Sequence, residues 1–262
     1  MESQKIDAVI TFHPKDWATL PWCIWGIRRN IQAGSIYIIS RKTEKQQLEA
    51  LGLIFIDEDT VIPGLTVSSF GGGHWGGHYF QQIIKLGMAG FVKNEYYLVV
   101  DADTVFLRKV EFFRGGKPLY ATSPEYTPEY FESFYKLLGF HPSREFSFIT
   151  HHMVFSKTVV KEMITGFKSN NDEWWPPIMQ IAANSPNAFS EFETYGHYIK
   201  VRHKNEFAIR KLRWRNVPIH PSKLNLFLLS LYYDYCSFHA YMRINSNRDL
   251  VKLILEKFKI RR

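Results

Sequence analysis

Apolar positions along this 262-residue chain fall into short runs whose period switches between two and 3.6. Ile6 to Phe12 is dense in β-branched residues and predicts a strand. A helix follows, N-capped by Asp16 or Thr19, with Leu20, Cys23, Ile24 and Ile27 on one face. Ser35 to Ser40 predicts a second strand. Thr43-Glu44-Lys45-Gln46 has the form of a capping box opening a helix through Leu51, and Leu53 to Ile56 predicts a third strand. Strand and helix alternating at these spacings mean βαβ units and a mostly parallel sheet.

The glycine-rich stretch from Gly71 to Gly77 precedes a helix expected from about Tyr79 to Val92. Phe80, Ile83, Ile84, Met88 and Phe91 form its apolar stripe, with Gln81, Gln82 and Lys85 on the opposite face. Next comes Tyr96 to Leu107, apolar enough for a strand buried on both faces, yet interrupted by Asp101 and Asp103. In an extended chain these two project to the same side while Ala102 points back. Two acids at the end of a buried strand are costly unless a positive charge holds them, and a divalent cation is the expected one.

Beyond Leu107 the elements shorten. Thr127-Pro128 opens a helix closed by Gly139, and Phe146 to Phe155 predicts a strand that carries His151 and His152 on opposite faces. Ser156 caps a helix, Trp174-Trp175-Pro176-Pro177 starts another, and Ser190 caps a third. Leu224, Phe227, Leu228 and Leu231 mark a buried helix, and Ser246 onward reads as a basic amphipathic helix. Without a repeat or a linker, one domain is expected.

Composition narrows the function. A hydrophobic content of 45% supports a sizeable core, and a formal charge of +8 favours anionic partners. No nucleic-acid-binding motif accompanies that charge, so a nucleic-acid partner is not expected. Cys23 and Cys236 lack metal-ligand spacing and read as reduced thiols. No signal-like apolar segment and no window of about 20 apolar residues is seen, so a cytoplasmic protein is expected.

Asp101-Ala102-Asp103 at the end of an apolar strand, late in a βαβ layout, resembles the Asp-x-Asp motif of the GT-A-fold glycosyltransferases. The resemblance implies a Rossmann-like α/β fold over residues 1–262. A nucleotide-sugar-binding half would span about 1–110 and an acceptor-binding half about 111–262. It implies transfer of a sugar from a nucleotide-diphospho-sugar, UDP-linked first, to a glycan, lipid-linked or other hydroxyl acceptor. Asp103 would ligate the cation, Mn²⁺ or Mg²⁺, and Asp101 the ribose or a metal-bound water. His239 would be a further metal ligand, by role rather than by motif. Gln82 and Lys85, on the helix before the motif strand, would touch the sugar or diphosphate.

Residues at strand ends extend the candidate set. In an open parallel sheet, ligands sit beyond the carboxyl ends of the strands, which singles out Thr11, His13 and Arg41 for the base and ribose. Glu191 and Glu193 offer a general base for the acceptor hydroxyl, although Ser190-x-x-Glu193 is also a capping box. The basic C-terminal helix would contact an anionic membrane peripherally. Two rival readings exist. Asp101 and Asp103 also resemble the nucleophile motif of haloacid-dehalogenase-like Mg²⁺-dependent phosphatases, but that family carries it on its first strand. A non-catalytic sugar- or nucleotide-binding module on the same fold is the other.

Overall fold

The computed structural model describes residues 5–71, 74–143, 145–167, 173–183 and 187–242. The basic C-terminal segment from Ser246 lies outside them, as do Gly72 and Gly73. In chain order the elements begin β1 (Ile6–Thr11), α1 (Leu20–Asn30), β2 (Ala33–Ser40), α2 (Lys45–Ala50), β3 (Ile54–Asp57) and α3 (Glu58–Val61). Then come α4 (His74–Gly87), β4 (Tyr96–Asp101), β5 (Thr104–Phe106), β6 (Phe113–Arg114), β7 (Lys117–Ala121) and α5 (Pro128–Leu138). The remainder is β8 (His152–Ser156), α6 (Lys157–Thr165), α7 (Pro176–Ala182), α8 (Glu191–Arg202), β9 (Ala208–Arg210), β10 (Trp214–Asn216), α9 (Lys223–Ser230) and β11 (Tyr235–Ser237). Among the described residues no helix is long and apolar enough to cross a membrane.

These elements form two compact units. The first takes in Met1–Thr11, Ala33–Val100 and Glu111–Lys211. Its main sheet has the order β3-β2-β1-β4-β8. β1 and β2 run parallel, as do β2 and β3, whereas β8 closes the edge antiparallel to β4 with Val99 opposite Met153. Chain progression moves outward from β1 to β3 and then returns to place β4 on the other side of β1. This is the switch point of an α/β sheet, and β1 and β4 end there at Thr11 and Asp101. Asp7 is fully buried inside β1 because its carboxylate is satisfied. It accepts hydrogen bonds from the Ser35, Lys93 and Asn94 amides and from the Asn94 side chain at 2.8–3.1 Å.

The second unit takes in Phe12–Gln32, Asp101–Val110 and Leu212–Arg262. Its small sheet has the order β10-β11-β5, with β5 and β11 antiparallel. Val105, Leu107, Val217, Leu226, Leu229, Cys236 and Phe238 make its core. α1 packs against β5 closely enough that a Cβ on Gly26 would lie 2.9 Å from the Phe106 backbone N and O. Thr19 caps α1 without a side-chain bond to the helix, since its hydroxyl donates to the Asp16 carbonyl at 2.9 Å.

The α/β class and mostly parallel sheet agree with the sequence pattern, and several local expectations are corrected. The run from Tyr96 to Leu107 is not one strand. The chain turns at Ala102 and Asp103, and β5 pairs with β11, so strand alternation no longer sets where Asp103 points. The Phe146–Phe155 run is extended only from His152, because His151 adopts φ 60°, outside the β region. Thr43 lies inside a 3₁₀ turn, Lys42–Glu44, so the predicted capping box does not form. α4 begins five residues before Tyr79 and runs through Gly76 and Gly77, where a glycine-rich sequence suggested a loop. Gln82 and Lys85 are buried on it, and Phe91, expected in the buried stripe, is 38% exposed. On α9 the expected buried set holds only in part: Leu228 packs partly buried against the core, Leu226 and Leu229 are inside, and Leu224, Phe227 and Leu231 are exposed.

Candidate functional site

The second unit gathers acidic groups around one histidine. β4 is a run of buried apolar residues that delivers Asp101, and the turn that follows delivers Asp103. β11 supplies the histidine. Its register sets Cys236 opposite Val105 and Ser237 opposite Thr104, and the Thr104 and Ser237 hydroxyls bond at 2.7 Å. One step further the Phe238 amide donates to the Asp103 carbonyl at 2.9 Å, which seats His239 beside the Asp103 side chain. The His239 Nδ1 then lies 2.8 Å from Asp103 Oδ2. The ring also stacks on Tyr241, with 10° between planes.

Electrostatics follow from this crowding. Burial works against the His239 imidazolium, but the Asp103 hydrogen bond and the charges of Asp103, Asp101 and Asp16 outweigh it, so its pKa is raised above the ordinary histidine value. Asp16 is itself buried, just before α1. Cys23 on α1 points its thiol at the Asp101 carbonyl, 3.7 Å away. Burial first, then the Asp103 and Asp101 charges, push that thiol far up. It is an inert, protonated thiol, and neither it nor Cys236 is in a disulfide.

Asp103 Oδ1 is the informative atom. It is buried and has no hydrogen-bond partner among the described residues. Leaving a carboxylate oxygen without a partner costs free energy, so this buried atom in the turn after β4 calls for a further partner, a cation being one that would satisfy it. No group of three or more His, Cys, Asp or Glu side chains among the described residues has the arrangement of a complete metal cage. Asp101 and Asp103 could hold a cation only where other ligands, such as phosphate oxygens or water, complete its shell.

In the first unit, three other predicted residues meet. Lys85 Nζ of α4 lies 2.7 Å from Glu191 Oε1 at the start of α8, and both are buried. Gln82 Oε1 accepts from the Glu191 amide at 3.3 Å, while its Nε2 lies 2.6 Å from His78 Nε2. The Lys85 ammonium also sits 4.7 Å from the Phe192 ring centroid. Ser190 caps α8 by accepting from the Glu193 amide at 3.3 Å. The Glu193 carboxylate is used elsewhere: its Oε2 accepts from the Phe148 amide at 2.6 Å and lies 3.7 Å from His197 Nε2.

Thr11 is buried at the end of β1. His13 Nδ1 accepts from the Lys15 amide at 3.2 Å, capping a 3₁₀ turn. Arg41 is half exposed and lies 3.7 Å from Glu58. His152 is buried, with Nδ1 2.9 Å from the Thr150 carbonyl. Sequence reading passed over Asp16 and Cys23, which nothing short of the fold links to an acidic pair about 80 residues away.

Comparison with known proteins adds the family. Residues 44–220 match the Family of unknown function (DUF6492). The chain belongs to that family. The family match includes Lys85, Asp101, Asp103, Glu191 and Glu193 and stops short of His239. No curated protein matches in sequence. Among solved structures, apo mouse xyloside xylosyltransferase 1 is similar with a TM-score of 0.51 and 11% identity, covering 92% of this chain and 99% of that one. The 4-diphosphocytidyl-2C-methyl-D-erythritol synthase of Anaerococcus prevotii gives 0.44 at 10% identity, covering 97% and 96%. Apo glycosyltransferase GlyE of Streptococcus pneumoniae gives 0.41 at 11%, covering 79% of this chain and 45% of its own. At such identity the xylosyltransferase likeness establishes the GT-A fold and nothing finer. In this family member Asp101 ends the fourth strand in chain order, not the first.

Proposed function

We propose that this chain is a metal-dependent glycosyltransferase that takes a sugar from a nucleotide-diphospho-sugar, UDP-linked first, and delivers it to a glycan, lipid-linked or other hydroxyl acceptor. The observation that carries the reading is the Asp103 carboxylate, one oxygen on His239 and the other buried without a partner. A bound Mn²⁺ or Mg²⁺ supplies positive charge that neutralises a diphosphate leaving group.

The chain's own residues divide the work by chemistry. Asp103 Oδ1 is the oxygen for the cation, and Asp101 is the partner for the ribose or a metal-bound water. Because His239 Nδ1 faces Asp103, we assign His239 first as the residue that holds this carboxylate in position, with direct ligation requiring that bond to open. Glu191 is the candidate base for the acceptor hydroxyl. Its carboxylate is held in place by Lys85 Nζ at 2.7 Å. Glu193, whose Oε2 accepts from the Phe148 amide, ranks below Glu191 as a base. Thr11, His13, Arg41, Gln82 and Lys85 are proposed donor contacts of lower rank.

A thermal-shift panel of UDP, GDP, CMP and ADP, each with and without Mn²⁺, tests the reading. Ligands that bind the native state raise the melting temperature by mass action. One nucleoside diphosphate should stabilise the chain only with metal, and Asp103→Asn should remove that response. Slow hydrolysis of the matching nucleotide-sugar then separates an enzyme from a binding module.

A further inference from the structure

Helix α9 is apolar on both faces. Leu226 and Leu229 enter the core at 3% and 1% exposure. On the other side Leu224, Phe227 and Leu231, spaced along one helical face, are 66%, 62% and 54% exposed. Soluble surfaces carry isolated apolar residues, but three large ones on one face mark a contact surface. Between α9 and α1 lies a cavity of about 380 Å³, lined by Trp22, Trp25, Arg29, Leu226, Phe227 and Lys223 among others. Its lining holds two cations and no carboxylate, and the Arg29 guanidinium sits 5.6 Å from the Trp25 ring centroid.

We infer that this face of the second unit docks on an anionic lipid bilayer. Leu224, Phe227 and Leu231 enter the headgroup–acyl boundary, Trp25 sits at headgroup level, and Lys223 and Arg29 engage lipid phosphates. Charge selects the occupant. Lys223 and Arg29 stand at the apolar face with no carboxylate in the cavity lining, and the whole chain stands at +8. Basic residues near a bilayer surface add attraction to anionic lipid, and the apolar face adds insertion. The inference does not rest on the transferase reading, since none of its residues belongs to the acidic cluster.

Co-sedimentation of the full chain with phosphatidylcholine vesicles, with and without phosphatidylserine, tests it. Binding is expected to the anionic vesicles alone and to weaken with salt. Leu224→Ser combined with Leu231→Ser, both outside the cavity, should lower partitioning about tenfold with the melting temperature unchanged. Phe227→Ser should act likewise, and Lys223→Glu should weaken binding to the anionic vesicles. Unchanged binding in the Leu224/Leu231 variant would assign attraction to the basic C-terminal residues and overturn the proposal. So would equal binding to neutral vesicles, or a concentration-dependent dimer that the same variant abolishes.

Discussion

His239 hydrogen-bonds Asp103 across 136 residues of sequence, Nδ1 to Oδ2 at 2.8 Å. The bond occupies one carboxylate oxygen and leaves the other buried and bare, which makes Asp103 the centre of the acidic cluster. Asp103→Asn should therefore abolish metal-dependent nucleotide binding while leaving the fold intact. His239→Ala should weaken apparent Mn²⁺ affinity about 10–100-fold, the usual cost of losing a residue that orients a ligand. Isothermal titration with Mn²⁺ in the presence of the nucleoside diphosphate measures both. If His239→Ala leaves the affinity unchanged, the positioning role is wrong.

Lys85 and Glu191 form a buried pair, and removing one partner strands the other. Lys85→Met or Glu191→Leu alone should cost about 3–5 kcal/mol. The double replacement should cost clearly less than the sum, because neither charge is then left uncompensated. Urea unfolding of the three variants closes the cycle. Additive losses would mean that the pair is not coupled.

Glycine substitutions on two helices should have opposite signs. A Cβ at Gly196 of α8 would fall 2.2 Å from the Phe148 ring, which is itself buried, so Gly196→Ala should destabilise by about 1–3 kcal/mol. Gly77 of α4 has open space around it, and Gly77→Ala should stabilise by about 0.5–1 kcal/mol through helix propensity. Thermal melts of the pair decide it.

Glu58 links stability to pH. Burial raises its carboxyl to about 7 against the attraction of Arg41, with Asp59 and Asp57 adding to the rise. Unfolding returns it to the ordinary value of about 4.3. Between those values the folded chain holds more protons than the unfolded one, so stability is greatest below the unfolded value and falls as pH rises through about 7. Glu58→Gln should flatten that slope. Denaturation midpoints across this window, equal in slope for both proteins, would remove Glu58 as the cause.

Local chemistry in the sequence determined much. The β-branched run Ile6–Thr11, the periodic apolar residues of α1, and Gly139 closing α5 in the left-handed conformation each follow from nearest-neighbour rules, and they were enough for a mostly parallel α/β sheet. The motif strand and its two aspartates were legible for the same reason, because acids at the end of an apolar run stand out in one dimension.

Tertiary structure decided what those acids meet. Nothing local tells the chain to turn at Ala102 and Asp103, since that turn follows from β5 pairing with β11, about 130 residues later. The same pairing brings His239 to Asp103. Packing likewise joined Lys85 to Glu191 across 106 residues, turning two separate candidates into one pair. On α9 both faces are apolar, so periodicity alone cannot select the buried one. The core of Val105, Leu107 and Val217 selects Leu226 and Leu229, leaving Leu224, Phe227 and Leu231 outside. Helix and strand signals decay within a few residues, whereas these contacts depend on which surfaces remain once the sheet has formed.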